Sequence, residues 1–222
     1  MKTIFISRKL TKESVFKKDL KAAGFQIYDR SLIRFSPVAF DTVPSTDWIF
    51  FYSKNAVKYF FAGLTSLNQI TPQEVRWATI GPATAKVLKK HIGQVDFIGD
   101  GNTVETAADF LKVAEGQTVL FPRAEHSRKT VQQLLSKNIT DRDLIVYKNV
   151  PKKNIRLPNC DLLVFTSPMN VLTYFKNKPL FDDQSVFAIG RTTAKTLVSI
   201  GIEEFLIAEE PSEAALVKAV LS

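Results

Sequence analysis

Short β-branched and aromatic runs alternate with amphipathic stretches along the whole chain. Strands are expected at 3–7, 26–28, 47–52, 75–80, 95–98, 118–122, 143–147, 161–166, 185–189 and 204–207. The intervening segments carry helix signals. Pro82 and Pro168 suit a first helical turn, where no backbone N–H is needed. Gly24, Gly93 and Gly201 suit helix stops. Thr103 and Ser212 are expected N-caps, with Glu105 and Glu213 favourable in the turn that follows. Lys9, Lys12, Lys17, Lys18 and Lys21 fall on one expected helix whose other face holds Val15, Phe16 and Leu20. Strand and helix in alternation predict an α/β fold, with parallel sheets covered by helices on both faces.

The pattern repeats. Residues 47–57 (DWIFFYSKNAV) match 161–171 (DLLVFTSPMNV), each an acid, an apolar run, a hydroxyl pair and a helical start. Residues 78–88 (ATIGPATAKVL) match 187–197 (FAIGRTTAKTL), and IFISR at 4–8 resembles VLFPR at 119–123. The copies are out of phase, because one unit's opening piece lies at the N-terminus and its remainder at the C-terminus. The expected arrangement is nested. Residues 1–33 plus 152–222 form one lobe and 38–146 the other, with linker segments at 34–37 and 147–151. The fold class is therefore two similar α/β lobes, each a parallel sheet flanked by helices, joined by a two-segment linker.

In open parallel sheets, ligands bind beyond the carboxyl ends of the strands. Small polar residues collect there: Arg8, Ser53, Lys54, Asn55, Gly81, Thr84, Arg123, Thr166, Ser167, Gly190, Thr192 and Thr193. Each precedes or opens a helix, whose free N–H groups and positive dipole end favour an anion. Any one Ser or Thr of this kind is an ordinary cap; their recurrence in both lobes points to a ligand. The net charge of +8 and pI near 9.5 fit an anionic ligand. The basic residues are dispersed and the phenylalanines fall within strands as core, so nucleic acid is not an expected partner.

Composition otherwise excludes more than it assigns. The 45% hydrophobic and 23% charged fractions belong to a globular chain of 222 residues rather than a disordered one. No apolar run approaches the roughly 20 residues that span a bilayer, and residues 1–8 have too short an apolar core for a signal peptide. Cys160 is the lone cysteine, which fits a reducing cytoplasm, and nothing marks an oligomer interface. Walker, GxGxxG, HExxH and CxxC motifs are absent, and His91 and His126 are isolated. His91 reads as a helix C-terminal dipole partner and His126 as a surface residue, so no metal site is expected. The residues alone leave two classes open: an enzyme that shapes its substrate, and a non-catalytic two-lobed small-anion-binding module.

Residues 48–57 (WIFFYSKNAV), 80–85 (IGPATA), 119–123 (VLFPR), 146–147 (VY), 164–168 (VFTSP) and 189–194 (IGRTTA) together resemble the uroporphyrinogen-III synthase family in nearly the whole chain. The resemblance implies a cyclising hydro-lyase of tetrapyrrole (haem) biosynthesis. Its substrate is the linear tetrapyrrole polycarboxylate hydroxymethylbilane, closed to uroporphyrinogen III with loss of water and inversion of ring D. It implies no cofactor and no metal. Tyr147 matches the family tyrosine expected to assist departure of the hydroxyl. Thr84 and Thr193 match its paired threonines, with Ser53, Ser167 and the backbone N–H groups of Lys54, Gly81 and Gly190 as further substrate contacts. The chain departs from the pattern at Tyr52-Ser53-Lys54-Asn55, where a Thr-Ser-Pro start is expected; Lys54 supplies a charge there instead.

Overall fold

The computed structural model describes residues 1–222. The chain opens with β1 (Thr3–Ile6), α1 (Val15–Ala22), β2 (Gln26–Asp29) and β3 (Ile33–Pro37). There follow β4 (Trp48–Phe51), α2 (Lys54–Ser66), β5 (Arg76–Thr79), α3 (Pro82–Ile92), β6 (Phe97–Ile98) and α4 (Thr103–Ala114). Next come β7 (Thr118–Ala124), α5 (Thr130–Leu135) and the long β8 (Thr140–Pro151). The chain closes with β9 (Leu162–Phe165), α6 (Pro168–Asn177), β10 (Ser185–Ala188), α7 (Arg191–Ser199), β11 (Leu206–Ile207) and α8 (Glu213–Leu221). Residues 1–34 with 150–222 make one compact unit, and 35–149 make a second. β3 and β8 are the two strands that pass from one to the other.

Sheet topology carries the repeat into three dimensions. The first unit orders its strands β11-β10-β9-β1-β2; the second orders them β6-β5-β4-β7-β8, with β3 added beyond β8. β1 therefore stands where β7 stands, as the out-of-phase copies require. The strands pair in parallel within each five-strand order.

The acid that begins each repeat has a structural task. Asp161 Oδ2 accepts from the Thr3 N–H (2.6 Å) and hydroxyl (2.8 Å). Asp47 Oδ2 accepts from the Thr118 N–H at 2.8 Å. Each acid thus ties the start of a central strand to the start of its neighbour and fixes the register. The Thr3 hydrogen bonds hold the Asp161 carboxyl below its ordinary range.

Each strand's alternation supplies two cores. In β4, Ile49 and Phe51 pack on Val57, Phe60 and Leu88 of α2 and α3, while Trp48 and Phe50 pack on Phe110, Val131 and Leu135 of α4 and α5. In β9, Leu163 and Phe165 meet Val171, Tyr174 and Leu197 of α6 and α7. Its Leu162 and Val164 meet Phe16, Leu20, Leu216 and Val217 of α1 and α8. The central strands β4 and β9 are buried on both faces, as in covered parallel sheets.

Three expectations need adjustment. The lysine-rich helix starts only at Val15, capped by Ser14, so Lys9 and Lys12 precede it. Val15 is exposed, while Phe16 and Leu20, one turn apart, are buried. Asn102 rather than Thr103 caps α4, accepting from the N–H groups of Val104 and Glu105. Ser212 does cap α8, Pro82 and Pro168 stand in first turns, and Gly24, Gly93 and Gly201 follow helix ends with positive φ.

Candidate active site

The helix starts at the strand ends are built twice to the same plan. Ser53 caps α2 with φ −156° and ψ 156°, and its Oγ accepts from Ala56 N. Ser167 caps α6 with φ −163° and ψ 153°, and its Oγ accepts from Asn170 N. Gly81 and Gly190 cap α3 and α7 in extended backbone with no side chain to occupy the first N–H groups. None of these four helices has an acid in its first turn, so the positive end of each dipole is not neutralised from within. The backbone is also close there, since a Cβ on Gly81 would lie 3.1 Å from the Gly101 backbone.

Thr84 and Thr193 occupy equivalent places in the first turns of α3 and α7. Both donate their N–H to the cap glycine's carbonyl at 3.1 Å, and both are nearly closed off, at 5% and 3% exposure. Thr192 and Lys54 are exposed; Asn55 is half-buried. In the first unit the polar residues are more fully engaged. Buried Ser7 accepts the Thr166 N–H at 2.8 Å, and Ser167 Oγ accepts from Asn170 Nδ2 at 2.7 Å.

Tyr147, on β8, is buried and its hydroxyl lies 3.4 Å from Ser53 Oγ. Its ring stacks on Tyr59 at 5.3 Å and meets Phe35 edge-on at 5.7 Å. One of the two hydroxyl protons is used within the Ser53–Tyr147 pair, and the other can be given to an oxygen placed beside it. The sequence did not reveal Tyr59 or Phe35 as the frame of this tyrosine. Tyr59 sits one turn into α2, where helical spacing alone reads as core.

Both strand-end arginines are engaged within the fold. Arg123 is buried; it donates Nε and Nη2 to Asp143 at 2.7 Å each, and Nη1 to the Ala124 and Glu125 carbonyls at 2.9 and 3.1 Å. A guanidinium with four of its five protons committed fixes the end of β7. Arg8 is ion-paired with Glu213, whose other oxygen accepts from Ser14 Oγ (2.6 Å) and Phe16 N (3.1 Å). That carboxylate joins α8 to α1, and the first-turn dipole role read from sequence understated it. Tyr52 turns inward: its hydroxyl accepts the Gln132 N–H at 3.1 Å, and burial pushes that hydroxyl well above the usual phenol range. The departure from the family pattern at Tyr52 is thus a capping contact for α5.

His91 stacks on Phe61 at 4.1 Å in the last turn of α3, and His126 is exposed beside Glu125. No three His, Cys, Asp or Glu side chains gather in a metal-holding group. No helix is long and apolar enough to cross a membrane.

The comparisons agree with this organisation. A family model described as uroporphyrinogen-III synthase HemD matches residues 14–218. The chain belongs to the uroporphyrinogen-III synthase family. Among its relatives, a uroporphyrinogen-III synthase of Chlorobaculum parvum is 30% identical, over 99% of this chain and 98% of its own. A putative uroporphyrinogen-III synthase of Methanocaldococcus jannaschii is 25% identical, over 91% of each. The crystal structure of a uroporphyrinogen-III synthetase from Helicobacter pylori shares the fold, with a TM-score of 0.69 at 23% identity over 100% of this chain and 99% of that one. Within this family the doubled Ser and Gly caps, the paired threonines and Tyr147 are the features to be explained. A bare anion-binding module is not favoured.

Proposed function

We propose that this chain cyclises hydroxymethylbilane to uroporphyrinogen III, inverting ring D and releasing water. The observation that carries the reading is the duplicated donor array: Ser and Gly caps at equivalent strand ends, in equivalent backbone geometry, with no first-turn acid. Such an array suits a substrate bearing many carboxylates. Ser53, Lys54, Asn55, Gly81 and Thr84 would serve it from the second unit, and Thr166, Ser167, Gly190, Thr192 and Thr193 from the first. Each hydrogen bond to a charged group contributes roughly 1.5–3 kcal/mol, so several together select one bent conformer from a flexible chain.

The chemistry follows from that selection. The C–O bond of the hydroxymethyl group breaks and the hydroxyl leaves as water, with Tyr147 donating to its oxygen. The resulting azafulvene carbon is attacked through a spiro intermediate, and rearrangement sets ring D inverted. A substrate released early closes without inversion, so orientation is the larger part of catalysis. The reading takes a single copy in the cytoplasm as the working unit and the linear tetrapyrrole as its partner.

The test is direct. Freshly made hydroxymethylbilane is supplied, the products are oxidised and the porphyrin isomers separated. Type III isomer in excess is expected. Type I alone, at the rate without protein, would leave a binder and end the proposal.

A further inference from the structure

The first unit contains a cavity of about 540 Å³ beyond the carboxyl end of β2, within the roughly 300–1,000 Å³ range of small-molecule sites. Four cations line it: Lys9, Arg30, Lys152 and Arg156. The one acid is Asp29, and it is already engaged. Its oxygens accept from Leu10 N at 2.9 Å and Lys9 Nζ at 3.2 Å. Burial alone would push that carboxyl up, but these bonds hold it below its ordinary range. Asp29 and Lys9 therefore cancel, and the charge of Arg30, Lys152 and Arg156 remains.

Two of these three cations are held in place by the backbone rather than by acids. Arg30 Nη1 donates to the Arg156 carbonyl at 3.1 Å, and Lys152 Nζ to the Ser31 carbonyl at 2.7 Å. These two bonds use one proton of each side chain, and neither neutralises a cation. The pair ties the end of β2 to the chain returning from β8, so Arg30 and Lys152 are held at the rim, beside the exposed Arg156. Tyr28 and Pro158 give the cavity its accessible apolar wall. A site with an apolar wall and three uncompensated cations suits a flat organic body bearing carboxylates, and a compact inorganic anion would leave that wall unused.

We infer that this cavity is a carboxylate-anchoring subsite for the tetrapyrrole, taking a pyrrole edge against Tyr28 and Pro158 and its acidic arms on Arg30, Lys152 and Arg156. The inference rests on the proposed function for the identity of its ligand, and it names residues outside the helix-start array. It can be tested without turnover. Uroporphyrin, a stable tetrapyrrole octacarboxylate, is titrated by fluorescence into the wild-type chain and into Arg156→Gln, Arg30→Gln/Arg156→Gln and Lys152→Arg.

Arg156 donates to nothing within the protein through its side chain, so its loss should leave the melting temperature unchanged. Loss of one charged hydrogen bond is expected to loosen uroporphyrin by about 10-fold, and of two by more. Lys152→Arg, which keeps the charge, should bind as wild type. Lys89→Gln, an exposed charge lost in the other unit, should also bind as wild type. Equal affinity for Arg156→Gln, the double variant and wild type would overturn the subsite. So would tight binding of the uncharged octamethyl ester, or no uroporphyrin binding at all. Failure of the isomer assay leaves this titration intact, so the two readings fall separately.

Discussion

The Tyr147 ring lies between Tyr59 and Phe35, with Ser53 Oγ 3.4 Å from its hydroxyl, so its orientation is set before a substrate arrives. If that hydroxyl protonates the leaving group, Tyr147→Phe should lower kcat on the order of 10²-fold while melting temperature and KM stay near wild type. Unchanged single-turnover rates would remove the role. Tyr59→Ala should give a smaller loss of kcat, restored in Tyr59→Phe, because a stacked aromatic contributes only about 0.5–1.5 kcal/mol beyond its area. The Arg123–Asp143 pair makes a different prediction. Burial would raise the Asp143 carboxyl, but bonds from Arg123 and Lys129 prevail and hold it at about 2. A carboxyl depressed on folding stabilises the native state above its unfolded value of about 4, and that stabilisation is lost as pH falls toward 2. Asp143→Asn should therefore cost roughly 2–3 kcal/mol at pH 7, somewhat less than a fully buried pair, and almost nothing at pH 2. A urea midpoint gap that persists in acid would contradict this.

At the scale of elements, the strand that ends at Ile98 turns into α4 through Gly99, and the fit is close. A Cβ there would stand 2.4 Å from the Thr106 side chain and 2.6 Å from the Ile80 carbonyl. Gly99→Ala must push α4 away from the end of β5, beside Gly81 and its helix start. Overpacking of this kind costs typically ~1–3 kcal/mol, and the melting temperature should fall; an unchanged melt would show that the turn yields freely. None of this is visible in the sequence, where Gly99 is one loop glycine among several. What could be read there was local and periodic. The β4 and β9 runs, the Ser and Gly caps and the proline first turns each follow from a few adjacent residues. The repeat then put residues 1–33 in one lobe with 152–222, and the structure pairs β1 with β9 there. Features set by tertiary partners stayed hidden. β8 runs on to Pro151 because β3 lies beside it. Arg8 and Arg123 looked free because Glu213 and Asp143 lie 205 and 20 residues away. The Thr103 cap missed by one residue because Asn102 offers the better-placed acceptor.

For the molecule as a whole, duplication has a consequence for stability. Each unit has its own two cores, and the buried clusters of residues 35–149 share no member with those of 1–34 and 150–222. Phe110 is fully buried in one of them, with ring centroids 5.0–5.1 Å from Phe50, Trp48 and Phe97. Phe110→Ala should destabilise the chain by about 3–5 kcal/mol. Where that loss appears is the informative part. Cooperative unfolding follows contiguous packing, so amide exchange should accelerate in β4, β5 and β7 and much less in β1, β9 and β10. The corresponding change in the other unit, Phe5→Ala, should reverse the pattern. If either substitution accelerates exchange equally in both sheets, the two units unfold as one, and the strands that cross between them transmit stability as well as connecting the chain. Separate responses would mean that each half holds its row of helix starts in place by itself.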